Sequence, residues 1–192
     1  MRSMQRSASR MTTAQEEYAR LLKDYLGPRL RSLGFQGSSG RYALKDESVW
    51  RLLGFQKSTT NTQDRVRFYI NLNKIERQTW ARMRDASPHL SDTPNANIGY
   101  GGDTSWTRLQ NRMPSSQNGW WNVLPDTDLA ALSDSIIAAL ISDGLPWLTD
   151  TDPPTDDGRP QEDQSQAHSR PEVGPVGLLA RWRAWRRRNQ TT

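Results

Sequence analysis

The sequence predicts an α+β domain: an N-terminal helix, a mainly antiparallel sheet and a C-terminal helix packed on one sheet face. Three observations carry that prediction. Apolar residues recur at helical spacing near residue 20 and again near residue 135. Between them lie stretches of strand character joined by short polar turns. Three of these stretches follow one another directly, which suggests antiparallel pairing.

The first helix is announced by Thr13 and Glu16, spaced as a capping box. Tyr18, Leu21, Leu22, Tyr25 and Leu26 follow at i, i+3, i+4, i+7 and i+8. Pro28 removes an amide donor and predicts an interruption, with Leu30 and Leu33 resuming the stripe before Gly34. Gly37 to Gly40 reads as turn material. The segment 41–45 is short and predicts an edge strand. Residues 49–57 are apolar on both faces, as a central strand requires. Residues 65–74 alternate, with Phe68, Ile70 and Leu72 on one side and Tyr69, Asn71 and Asn73 on the other. Three consecutive strands with short polar loops predict a meander.

Residues 75–104 predict a short helix over 77–84 and then a long loop, punctuated by Pro88, Pro94, Gly99, Gly101 and Gly102. Residues 105–112 read as another strand, and Trp120, Trp121 and Val123 form a short aromatic stretch after the turn residues Asn118 and Gly119. Asp126 is the expected N-cap of the last helix, with Asp128 in its first turn. Leu129, Leu132, Ile136, Ala139 and Leu140 mark its stripe, and Gly144 with Pro146 its expected end. Trp147 and Leu148 then fold back onto the core. Read this way, no apolar run approaches the roughly 20 residues that span a bilayer, so no transmembrane segment is expected.

Four segments follow: residues 1–12, an extension expected to be disordered, with Met4 and Met11 as alternative starts; 13–148, the folded domain; 149–175, an acidic linker expected to be disordered; and 176–192, a basic amphipathic tail. The chain has 192 residues, a formal net charge of +5 and a pI near 9.9. The charge is distributed unevenly. Residues 149–172 hold seven acidic groups against Arg159 and Arg170, while Arg181, Arg183, Arg186, Arg187 and Arg188 crowd the tail. The two segments cancel, and residues 13–148 keep only +2. A nearly neutral domain is poor material for a phosphate-binding face.

The absence of cysteine excludes disulfides, thiol nucleophiles and cysteine-ligated metals, and fits a cytoplasmic setting. His89 and His168 are the two histidines. A histidine metal site or a serine triad would rest on His89 alone. No metal and no cofactor is expected. The phosphate-loop, dinucleotide, nucleophile-elbow and zinc-protease signatures are all missing. The glycine-rich 99–103 follows no convincing strand and reads as a loop hinge. Asp46 and Glu47 are adjacent carboxylates in a polar turn, where solvation is the expected explanation.

Gly34-Phe35-Gln36, the run Gly54 to Ser58 (GFQKS), Phe68 to Asn73 (FYINLN), the arginine of Trp106 to Leu109 (WTRL), and Trp120-Trp121 ahead of a helix occur in one order. In that order and spacing, over about residues 14–148, the chain resembles the bacterial domain-of-unknown-function 4304 family. The resemblance implies a small bacterial α+β domain and no reaction.

The candidate binding residues are Gln56, Lys57, Asn71, Asn73, Arg108, Trp120 and Trp121. If their strands are neighbours they form an amide-and-arginine surface walled by tryptophan, suited to a carboxylate, a phosphate or a peptide backbone. The bland alternative is that the asparagines face water and the tryptophans are packing. In the tail, Leu178, Trp182 and Trp185 lie opposite Arg181, Arg183, Arg186, Arg187 and Arg188. Such a segment can contact an anionic membrane surface or nucleic acid, or fold back on the acidic linker. The expected function is non-enzymatic binding of another protein, by analogy with toxin-neutralising, immunity-type domains. The alternatives are a small-ligand or enzymatic pocket built on Arg108, Asn71, Asn73, Gln56 and His89, and polyanion or membrane contact through the tail.

Overall fold

The computed structural model describes residues 12–113 and 119–150. The first eleven residues, the tail and the linker from residue 151 on lie outside the described residues, whereas Thr149, expected to begin the linker, closes the last helix. Within the described residues the expected α+β architecture is present: a six-stranded, wholly antiparallel sheet with both long helical rods on one face.

The first rod opens as expected. Thr13 accepts from the Glu16 amide at 3.2 Å, and the Glu16 carboxylate accepts from the Thr13 amide at 2.8 Å. Helix α1 (Ala14–Arg20) then passes through a π-helical turn, Leu21–Leu26, into α2 (Gly27–Ser32). Pro28 therefore does not end the helix. The wider turn shifts the hydrogen bonding by one residue, so that the Gly27 amide reaches the Leu22 carbonyl and Pro28 enters the first turn of α2, where its missing donor costs nothing.

The last rod repeats the device. Helix α5 (Leu129–Ala139) runs through a π-helical turn, Leu140–Gly144, into α6 (Leu145–Thr149), carrying Gly144 and Pro146 inside the helix. Its N-cap is Asp128, which accepts from Ala130 and Ala131, and not Asp126. Because the two pieces join, the helix over Leu129–Thr149 is, by length and composition only, long and apolar enough to cross a membrane. The sequence reading missed this by cutting the segment at Gly144. In the fold, Leu129, Ile136, Leu140, Leu145 and Leu148 of this rod are buried in the domain core. Arg29 ties the rods together, donating to Ser133 at 3.1 Å and to Asp134 at 2.5 Å.

The sheet runs β1 (Phe35–Ser38), β2 (Arg41–Leu44), β3 (Val49–Lys57), β4 (Val66–Glu76), β5 (Thr104–Arg108). A sixth strand, β6 (Trp121–Val123), pairs with the first residues of β4 on the same side as β5. The expected edge strand, β2, is an inner one. The outer strand is β1, whose Gly37 and Ser38 read as turn in the sequence. The turn itself has only two residues, Ser39 at φ 52° and Gly40 at φ 80°, the primed geometry that matches strand twist. Gly37 sits in the strand because a Cβ there would lie 2.2 Å from the Arg41 carbonyl oxygen. β3 is central, as expected. β5 stops at Arg108, and Leu109–Arg112 forms a single helical turn, α4, rather than more strand. The expected short helix is α3 (Arg77–Ala86).

Asp46 is not a solvated turn residue. Its carboxylate meets the buried Arg51 Nε at 2.9 Å and accepts from the Ser48 and Val49 amides. Burial alone would raise this carboxyl. The Arg51 and backbone hydrogen bonds outweigh it and hold the group below the usual carboxylate value. Arg51 also donates to the Leu148 carbonyl, fixing the end of α6 against the sheet.

Candidate binding site

Period-two alternation sorts β4 into two faces. Phe68, Ile70 and Leu72 point to the helices and are fully buried. Arg67, Tyr69, Asn71 and Asn73 point to the other face. Register then sets their neighbours. Asn71 lies between Gly54 of β3 and Arg108 of β5, Asn73 between Leu52 and Trp106, and Tyr69 opposite Gln56.

On this second face a stack has formed. The Arg108 Cζ lies 3.7 Å from the Tyr69 ring centroid, and the Trp120 ring stacks on Tyr69 with centroids 3.6 Å apart. Two groups that close must occupy opposite sides of the phenol ring. Arg67 follows at 5.5 Å from the Trp120 ring, and Trp106 lies 5.6 Å from Arg108 Cζ. Among the described residues the Arg108 guanidinium makes no hydrogen bond or ion pair, and its Nε is buried without a partner. Arg108, Tyr69 and Trp120 are each half-buried.

Beside the stack, a segment of the long loop covers the sheet. The Asn71 amide nitrogen donates to Gln56 Oε1 at 2.8 Å and to Asn97 Oδ1 at 3.0 Å. Asn73 donates to the Ile98 carbonyl at 2.9 Å, and Trp106 Nε1 to the Ala96 carbonyl at 3.1 Å. The fit depends on Gly54. A Cβ there would lie 2.3 Å from Asn97 Oδ1 and 2.9 Å from the Ala96 Cβ.

The expected site residues therefore divide. Gln56, Asn71, Arg108 and Trp120 come together. Asn73 shares their face but is covered, and neither asparagine faces water. Lys57 points to the helix side, 5.7 Å from the Tyr18 ring and 3.3 Å from Gln15. Trp121 also lies on that side, opposite Phe68 in register and packed against the core. Arg181, Trp182, Arg183, Trp185, Arg186, Arg187 and Arg188 lie outside the described residues. Sequence reasoning left Tyr69, Arg67 and Trp106 out of the site, although the alternation of β4 and β5 puts all three on the Arg108 face. Asn97 and Gly54 carried no local signal at all.

The arrangement offers a planar, pre-stacked guanidinium beside aromatic surface. It can take a carboxylate or a phosphate oxygen pair. Among the described residues no group of three or more His, Cys, Asp or Glu side chains could hold a metal.

No curated protein and no solved structure matches the chain. The profile of one family, described as domain of unknown function DUF4304, matches residues 26–150, which takes in the whole sheet, the arginine–aromatic stack and the last helical rod. The chain belongs to the DUF4304 family.

Proposed function

We propose that this domain is a non-enzymatic module of the bacterial cytoplasm that binds another protein, and that Arg108 takes a carboxylate of that partner. The observation that carries the reading is the guanidinium of Arg108, without a hydrogen-bond or ion-pair partner among the described residues and set 3.7 Å from the Tyr69 ring centroid. An arginine left without an ion pair but already fixed by stacking has lost its rotamer entropy in advance, so less is lost on binding. Its fork of donors matches a carboxylate bidentately. Tyrosine, tryptophan and arginine are also the side chains that dominate protein interfaces. Immunity-type neutralisation of a toxin is one form such binding takes, by analogy alone.

The small-ligand or enzymatic alternative draws less support. His89, which that reading needs beside Arg108, is exposed in the turn at 87–90.

Selection from a random twelve-residue peptide display library tests the proposal. The wild-type domain is expected to enrich sequences carrying Asp or Glu at a fixed position, and the Arg108→Ala domain to lose them. Enrichment of the same sequences by both proteins would refute it.

A further inference from the structure

Asn71 and Asn73 are both 0% exposed, and the Oδ1 of each is buried without a partner among the described residues. Native structures leave few such acceptors, because a buried acceptor without a partner loses its hydration and gains nothing in return. What covers them is no helix or strand but the loop segment 95–98, in which Ala96 is buried against Gly54. Its attachments are mainly polar: the Asn95 amide to Tyr100 Oη at 2.9 Å, and the bonds from Asn71, Asn73 and Trp106. Ile98 stays 46% exposed. The loop leaves through Gly101 at φ 72° and Gly102 at φ 58°, where a Cβ would meet nothing within 4 Å.

We propose that segment 95–98 is a displaceable cover, seated where an extended acidic peptide segment of the partner binds, and that Asn71 and Asn73 read that peptide's backbone. A carboxamide both donates and accepts, so each asparagine can pair with a peptide N–H and a peptide C=O. Two residues apart on one strand, they are spaced by about 6.7 Å, the i, i+2 repeat of an extended chain. Asn73 already holds a peptide carbonyl, that of Ile98. The unpaired Oδ1 atoms await N–H donors that the cover does not supply. Arg108, directly opposite Asn71 in register, then receives an acidic side chain of the same segment. This deepens the reading of Arg108 as a carboxylate anchor and rests on it.

The test uses the full chain, a blocked decapeptide of alternating Glu and Thr, and its Gln–Thr counterpart. The amides of Asn95, Asn97 and Ile98 are bonded to Tyr100 Oη, Asn95 Oδ1 and the Asn95 carbonyl. Their hydrogen exchange is expected to accelerate severalfold when the Glu–Thr peptide saturates the protein, the reverse of ordinary ligand protection. Asn97→Ala, which loosens the cover and leaves the floor intact, is expected to bind that peptide severalfold more tightly, because a larger fraction of the protein is open. Arg108-dependent binding with exchange at 95–98 unchanged or slowed would make the cover a fixed plate and overturn only this inference. Binding indifferent to Arg108→Ala, or none at millimolar peptide, would overturn the reading beneath it as well.

Discussion

The Arg108 guanidinium carbon stands 3.7 Å from the centre of the Tyr69 ring, at van der Waals contact, and the other side of that ring is taken by Trp120. A cation over an aromatic face at a partly exposed site contributes about 0.5–1 kcal/mol. A double-mutant cycle with Arg108→Ala and Tyr69→Leu, followed by urea denaturation, is expected to give a coupling in that range. Arg108→Ala alone should lower Tm by only a few degrees. A coupling indistinguishable from zero would mean that Tyr69 does not hold the guanidinium.

Gly54 is the position where the sheet has no room for a side chain. Gly54→Ala puts a methyl group 2.3 Å from Asn97 Oδ1 and is expected to cost about 1–3 kcal/mol. Removing the obstructing amide should relieve part of this, so Gly54→Ala/Asn97→Ala is expected to be more stable than the sum of the single changes predicts. Strict additivity would place the strain elsewhere.

The Asp46–Arg51 pair predicts a pH dependence of known sign. Folding lowers the Asp46 carboxyl below its ordinary value of 3.8, so the stabilisation is fully present above that pH and fades as pH falls through the lower, folded value. Asp46→Asn should cost about 2 kcal/mol at pH 7, between an exposed and a fully buried pair. The difference between the two proteins in urea midpoint should shrink as pH falls below 3.8. A gap that stays constant down to pH 2.5 would show that the carboxylate charge is not what stabilises Arg51.

The segment boundaries read from sequence also make a prediction. Limited proteolysis of the full chain is expected to leave a resistant fragment ending near Leu148. Removing residues 176–192 is expected to abolish any retention on phosphatidylserine vesicles. Rapid loss of the whole domain, or undiminished vesicle binding by the shortened chain, would contradict the division at these points.

The strands and helices were legible because burial imposes a period: 3.6 for Tyr18 to Leu26 and 2 for Phe68 to Leu72. Which face carried Asn71 and Tyr69 was legible for the same reason. Their neighbours were not. That Arg108 falls opposite Asn71 depends on β5 returning beside β4 across a thirty-residue interval, and nothing local fixes that register. Pro28 and Pro146 misled because a proline ordinarily stops a helix. Here a π turn ahead of each proline places it where no donor is needed. The cover was invisible because its fit is written in a missing Cβ at Gly54, forty residues from Asn97. Lys57 and Trp121 were grouped with Gln56 and Trp120 by adjacency, yet adjacent residues in a strand point to opposite faces.

The most direct measurement is a nuclear magnetic resonance titration that follows the Arg108 Nε–Hε signal. Added Glu–Thr decapeptide is expected to move that signal saturably while the uncharged Gln–Thr peptide leaves it in place, and Arg108→Lys, which keeps the charge and loses the fork, is expected to bind at least tenfold more weakly. Equal shifts with both peptides, or undiminished binding by the lysine variant, would contradict the assignment of Arg108 as the carboxylate anchor.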